Sequence, residues 1–195
     1  MEHKGTVTLQ TERLTLRRYS SADAEAMFDN WASDTEVTKY LRWQTHADVD
    51  VSKSVIESWV KQYPELDFYC WAITLKATDE PIGTISAGKL RDDIAMAEVG
   101  YCIGRKWWHQ GYTSEALNAL IHFFFEKVGI NRLEARHDTR NPNSGKVMQK
   151  CGLQHEGTLR QAGFNNQGIC DLAINAILAK DYFGDEALSG RLCYK

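Results

Sequence analysis

Between positions 116 and 128 the apolar residues Ala116, Leu117, Leu120, Ile121, Phe124, Phe125 and Val128 recur at helical steps. That spacing lays a broad apolar stripe along one face of a helix, and Gly129 supplies its C-terminal stop. Upstream, Glu98 to Ile103 reads as a strand, and a turn carrying Gly104 and Gly111 joins the two. The turn brings Trp108, His109, Gln110, Gly111, Tyr112 and Thr113 to the helix start. There the first amides have no intrahelical acceptor and the helix dipole favours an anion. The stretch is either an anion cradle or a loop that needs a glycine to bend, and a short glycine turn does not choose between them.

Leu9 to Tyr19 alternates as a half-buried strand, and Ser20 with Asp23 marks a helix start whose apolar face is Met27, Phe28 and Trp31. The pattern breaks from Ala32 to Thr45. A second amphipathic helix with Val51, Val55, Ile56, Trp59 and Val60 on one side then ends before Pro64. Phe68 to Lys76, Pro81 to Lys89 and Ile94 to Ile103 read as three strands of an antiparallel meander. After the 116–128 helix, Arg132 to Asp138 makes a strand-helix-strand unit that must be parallel and right-handed. Asn141 to Cys151 reads as a short helix with Pro142 near its start. Leu153 to Leu159 and Cys170 to Leu178 complete the sheet. The expected fold is mixed α/β: a largely antiparallel sheet of about seven strands, flanking helices and one parallel unit, as a single domain over residues 1–183 with a tail over 184–195.

Composition narrows the class. The 23 basic and 26 acidic residues nearly cancel, so no broad positive face for nucleic acid is indicated. The five cysteines lack short paired spacings, which points to neither a disulfide framework nor a metal site. Reduced thiols, the missing signal-type N-terminus and the absence of a membrane-length apolar run make a cytoplasmic protein the expectation.

Four blocks in order resemble the GNAT superfamily of N-acetyltransferases, and within it the RimJ/RimL-type branch that acts on protein N-termini. They are Thr11 to Arg17, Ala97 to Tyr101, Trp108 to Ala116, and Asn141 to Leu153 followed by Glu156 and Gly157. The resemblance implies acetyl-CoA as acetyl donor, with its pyrophosphate on the turn from Trp108 through His109, Gln110, Gly111, Tyr112, Thr113 and Ser114. It also implies that the strand ending in Tyr101, Cys102 and Ile103 splays from its parallel neighbour, freeing main-chain groups for the pantetheine arm. Asn141 and Ser144 resemble the family residues near that arm and near the departing sulfur, although both types are also ordinary helix-start residues. The chain departs from the family turn in having Trp108 and Thr113 at its ends and His109 where the branch commonly has glycine.

Acyl transfer to an amine needs a base and a donor for the leaving thiolate. Glu98 is the candidate base, against the reading of a surface carboxylate at a strand end; Ser144 is the first candidate acid and Tyr101 the second. Cys102 and Cys151 lack a sequence-local histidine and read as structural thiols. His137 is a candidate for the cleft wall and His122 for a solvated helix position. Tyr40 and Trp43, in the irregular segment, are candidate acceptor contacts, whereas Trp31 and Trp71 read as core. The expected activity is acetyl transfer to a primary amine by direct attack in a ternary complex. The acceptor is either a protein N-terminus or a small amine such as a polyamine, amino acid or antibiotic. A non-catalytic acyl-CoA sensor is the alternative of another class, and an oxidoreductase is disfavoured because the turn lacks the full dinucleotide fingerprint. Members of the branch include homodimers, and the final strands offer contact edges.

Overall fold

The computed structural model describes residues 1–184; the expected tail, with Cys193, lies from residue 185 onward outside them. Among these residues eight strands form one sheet: β1 (Leu9–Gln10), β2 (Leu14–Arg17), β3 (Tyr69–Leu75), β4 (Pro81–Arg91), β5 (Met96–Ile103), β6 (Arg132–Asp138), β7 (Gln154–Asn165) and β8 (Gly168–Leu178). Their order is β1-β2-β3-β4-β5-β6-β8-β7, and only β5 and β6 run parallel. The extra strand comes from the first segment, which is a hairpin rather than one strand. Thr11 breaks it: its N–H donates to the Leu14 carbonyl at 2.9 Å, and the Leu14 N–H donates to Thr11 Oγ1 at 2.9 Å.

The helices divide between the two faces. On one, α1 (Ala24–Met27), a wide turn over Phe28–Ala32, the short α2 (Thr35–Thr38) and α3 (Val49–Gln62) bring Met27, Trp31 and Ile56 against Cys70 and Ala72. The α3 stripe is shifted from the expected one. Ser52 and Ile56 are buried with Val55 and Trp59 beside them, while Val51 and Val60 face solvent, because a stripe through 52, 56 and 59 leaves 51 and 60 on its flanks. Asp48 caps α3 by accepting from the Val51 amide at 3.0 Å.

The other face carries α4 (Tyr112–Phe123), continued by a wider turn over Phe124–Val128, together with α5 (Pro142–Lys150) and α6 (Ala179–Phe183). Leu117, Leu120, Ile121 and Phe124 pack on Leu14, Trp71, Ile85 and Val99, and Gly129, at φ +74°, ends the helix as its position in the sequence implies. Trp31 and Trp71 are fully buried, as core residues should be. The β7–β8 hairpin is longer than the sequence pattern indicates, because Gln161 at φ +51° and the register shift before Gly163 interrupt the alternation. No helix among the described residues is long and apolar enough to cross a membrane.

The site is positioned by a divergence. β5 pairs with β6 only from Met96–Arg132 to Val99–Ala135. Beyond that point β5 stays with β4 as far as Ile103, and β6 stays with β8 as far as Asp138. The start of α5 fills the angle between them.

Candidate active site

Because β5 keeps its bonds to β4 past the divergence, its other edge is open. The Gly104 N–H donates to the Ile82 carbonyl at 2.8 Å, so by the two-residue alternation the Cys102 main chain also turns toward β4. The main chains of Tyr101 and Ile103 therefore face the opening. Of the three residues expected to offer free groups, Cys102 offers none on that side, and the Ile103 carbonyl already accepts from the Trp108 indole at 2.8 Å.

The turn into α4 is held from behind. Glu115 accepts from the Thr11 hydroxyl, from the Arg13 amide at 2.8 Å and from Arg13 Nε at 2.7 Å. Arg13 also donates to the Gln110 carbonyl at 3.0 Å and lies 4.3 Å above the Tyr112 ring. Gly111 caps the helix at φ +82°, and His109 adopts φ +61°, a left-handed conformation in which glycine is unstrained and histidine is tolerated. The amides from Gly111 to Ser114 thus have no intrahelical acceptor. The side chains of Gln110 and Tyr112 are turned away from the cleft, Gln110 onto the Lys106 carbonyl at 2.9 Å and Tyr112 under Arg13.

Two cavities meet at the divergence. The first, about 510 Å³, is lined by the expected Tyr101, Cys102, Ile103, Trp108, His109, Gly111, Thr113, Ser114, Asn141 and Ser144. It also gathers Lys39, Arg140, Lys146 and Lys150, cations the sequence reading did not single out. The second, about 690 Å³, is lined by Glu98, Tyr40, Trp43 and His137, with Arg42, Lys89 and Arg136. Tyr40, Leu41, Tyr101, Cys102, Asn141 and Ser144 belong to both.

At the junction the Tyr101 hydroxyl donates to the Ser144 carbonyl at 3.0 Å and lies 3.1 Å from its Oγ. Burial pushes the phenol well above its usual pKa, so it stays protonated as a donor. Asn141 caps α5, accepting from the Ser144 amide at 3.4 Å, and also lines the first cavity. Glu98 sits between guanidinium groups, with Arg136 Nε at 3.4 Å and Arg42 Nη2 at 3.8 Å. Arg136 in turn bonds the buried Glu134 at 2.7 Å, whose pKa burial would raise but whose hydrogen bonds from Arg132 and Arg136 bring below the usual value.

Asp138 ends β6 under the second cavity, with a fully buried side chain. It accepts from the Arg140 amide at 2.8 Å, from Arg140 Nη2 at 2.7 Å and from Asn165 Nδ2 at 2.7 Å. Burial works against its charge, yet these bonds outweigh it and hold the carboxyl at about 2. His137 Nδ1 donates to the Asp138 carbonyl at 2.9 Å. Burial pushes the Cys102 thiol up to about 12 and Cys151 up to about 11, which leaves both as protonated thiols and poor nucleophiles. His122 is exposed, bonded to the Tyr182 hydroxyl, and takes no part in the cleft.

A GNAT acetyltransferase domain model matches residues 13–154. The Bacillus licheniformis protein named uncharacterized N-acetyltransferase p20 is 34% identical over 177 residues, covering 91% of this chain and 99% of its own. The ribosomal-protein-serine acetyltransferase of Escherichia coli K12 is 35% identical over 98 residues, covering 50% of this chain and 55% of its own. The crystal structure of the microcin C7 self-immunity acetyltransferase MccE, in complex with acetyl-CoA and AMP, superposes with a TM-score of 0.78 at 21% identity, over 86% of this chain and 93% of that one. The fold agrees with that neighbour, and the family model and the p20 relative span most of the sequence: the chain belongs to the GNAT family of acetyltransferases, whose acetyl donor is acetyl-CoA.

Proposed function

We propose that this GNAT acetyltransferase acetylates the N-terminal α-amine of a peptide or protein by direct attack in a ternary complex. The observation that carries the reading is the meeting of two cavities at Tyr101 and Ser144, one reaching the α4 amides and the other reaching Glu98. The E. coli relative, named for ribosomal-protein serine acetylation, supports a protein acceptor.

The residues fit acetyl-CoA. Gly111 at φ +82° and the start of α4, which has no side-chain cap, present amides to an anion, and Lys39, Lys146 and Lys150 line the same cavity. The bound cosubstrate supplies the activated acyl group and a thiolate leaving group. The Tyr101 and Ile103 amides suit the arm and the developing carbonyl oxygen. Glu98 takes the amine proton as the new C–N bond forms, directly or through water, and Ser144, held by Tyr101, protonates the sulfur as the C–S bond breaks. Tyr40 and Trp43 wall the acceptor side.

A small-amine acceptor is the second reading, favoured by the volume of the second cavity, about 690 Å³, which suits a small molecule. Labelled acetyl-CoA offered with peptides and with a panel of small amines separates the two, since label on small amines alone rejects the peptide reading. In the same assay Glu98→Gln is expected to lower transfer at neutral pH and to spare CoA affinity. An unchanged rate across pH removes Glu98 from the chemistry.

A further inference from the structure

The second cavity has an apolar floor, with Met27, Val55 and Trp59, and a cationic rim. Lys89 on β4 stands opposite Glu98 on β5 in register, the relation that puts two side chains on one face of a sheet a few ångström apart. Among the described residues Lys89 makes no ion pair. Arg136 is largely committed to the buried Glu134. Arg42 is not: it comes no nearer than 3.8 Å to Glu98, and its side chain is 66% exposed. Glu98 is thus outnumbered, and two cations at the cavity mouth have charge to spare.

Arg42 is held in place from a distant part of the chain. Asn166, at the tip of the β7–β8 hairpin, donates its amide to the Leu41 carbonyl at 3.2 Å and Nδ2 to the Trp43 carbonyl at 2.9 Å, bracketing Arg42 on both sides. It also donates to the Thr38 carbonyl at 2.9 Å and accepts from Gln44 Nε2 at 2.8 Å. One side chain therefore fixes the loop that carries the rim.

We propose that the acceptor is an α-amine with a carboxylate beside it, that Arg42 and Lys89 read this carboxylate, and that Asn166 positions Arg42. The proposal rests on the acetyltransferase reading above and names the class of its acceptor. A positive rim repels polyamines and other multiply charged amines. The α-amine of a peptide, with a usual pKa of about 7.7–8.0, presents far more neutral nucleophile at neutral pH than a lysine-type amine at about 10.4, whereas the α-amine of a free amino acid is held protonated by its own carboxylate and gains no such advantage. A neighbouring carboxylate then turns the rim from a barrier into a contact. It comes either from a free amino acid or from an acidic side chain near a peptide N-terminus.

The test measures kcat and KM with acetyl-CoA for the amidated peptides Ala-Glu-Ala-Ala, Ala-Gln-Ala-Ala and Ala-Lys-Ala-Ala, for alanine, for alaninamide and for spermidine. One carboxylate contact is expected to favour the Glu peptide over the Gln peptide, or alanine over alaninamide once each is corrected for its fraction of neutral amine, roughly tenfold in kcat/KM. The first preference assigns the carboxylate to a peptide side chain, the second to a free amino acid. Arg42→Ala and Lys89→Ala should each erode that preference through KM of the carboxylate-bearing acceptor alone. Asn166→Ala should raise the same KM at unchanged kcat, with the thermal midpoint of each variant checking that it is folded. Equal kcat/KM for the Glu, Gln and Lys peptides together with equal values for alanine and alaninamide per neutral amine, or a preference for spermidine, overturns the acceptor class. Arg42→Ala slowing all acceptors alike does the same. Calorimetric titration with CoA keeps the two levels apart: CoA binding without the preference overturns only the acceptor class, whereas no CoA binding and no transfer to any amine overturns the transferase reading with it.

Discussion

Replacing Asp138 with Asn tests whether the charge at the end of β6 stabilises the cleft. The carboxylate is held at about 2, against a usual 3.8, by bonds from the Arg140 side chain and amide and from Asn165. A folded-state value below the unfolded one means stability that is present at neutral pH and lost as pH falls toward the folded value. A shift of that size corresponds to about 2 kcal/mol. An Asn amide keeps one acceptor but turns its NH₂ toward donors that the carboxylate satisfied. The variant should therefore lose about 2 kcal/mol at pH 7, or roughly 4–8 °C of thermal midpoint for a chain of this length. Urea unfolding from pH 7 to pH 3 is the assay. The gap between wild type and variant should hold down to about pH 5 and be about halved near pH 3, where the wild-type carboxyl is itself losing its advantage. A gap that stays constant across that range would show that the cost is packing rather than charge, and no gap at pH 7 would refute the network.

Ser144→Ala should lower kcat by about 10²–10⁴-fold, the usual span for a lost general acid, with CoA affinity kept; a wild-type rate at every pH excludes it. Tyr101→Phe removes the donor that holds Ser144 and should cost less, about tenfold, an effect checked by the same kinetics. At His109, φ +61° makes the backbone rather than the imidazole the element that matters. His109→Gly should preserve CoA affinity and His109→Val should lose about 1–2 kcal/mol of stability, so equal behaviour in unfolding and calorimetry contradicts the strain argument. A methyl added at Gly145 would lie 2.6 Å from His137 Nε2, so Gly145→Ala should cost about 1–3 kcal/mol in urea unfolding. Adding His137→Ala should recover much of that loss, and a double variant no better than the sum of the singles counts against the clash.

What the sequence made legible is what depends on neighbours along the chain. The stripe from Ala116 to Val128, the glycine stop at 129 and the Asn141–Pro142 helix start are all local, and all stand where expected. The first strand was misread because Thr11 and Arg13 turn the chain using a hydroxyl and a carboxylate that lie far apart in sequence, Thr11 and Glu115. For the same reason the buttress behind the cradle was invisible: Glu115 looked like a dipole-favouring acid, and its partners are about a hundred positions away. The Arg42–Glu98–Arg136 row joins three elements, and Asn166 reaches the loop beside Tyr40 from a hairpin tip that pattern alone left unassigned. No periodicity encodes such pairs, because each requires the sheet order first.

The divergence of β5 from β6 explains why the two halves of the site need each other. A strand edge left open inside a fold is unfavourable unless its main-chain groups find partners. At Ile103 the carbonyl is satisfied internally by Trp108, which leaves the Ile103 amide and the Tyr101 amide and carbonyl as the groups still to be paired. On the proposed reading an extended ligand lying along β5 pairs with them as a strand does, and its reactive end falls beside Tyr101 and Ser144, whose hydroxyl contact marks where α5 closes the angle. Glu98 lies three residues earlier on β5, opposite Glu134 within the stretch still paired with β6, so on the proposed reading the same strand that grips the donor presents the carboxylate to the acceptor. Side-chain alternation sends Glu98 and Tyr101 to opposite faces of that strand, so the proposed base and the hydroxyl pair approach the junction from two sides. The proposed direct transfer between two bound partners fits that arrangement better than relay through a covalent enzyme intermediate, for which the buried, protonated Cys102 and Cys151 are poorly suited.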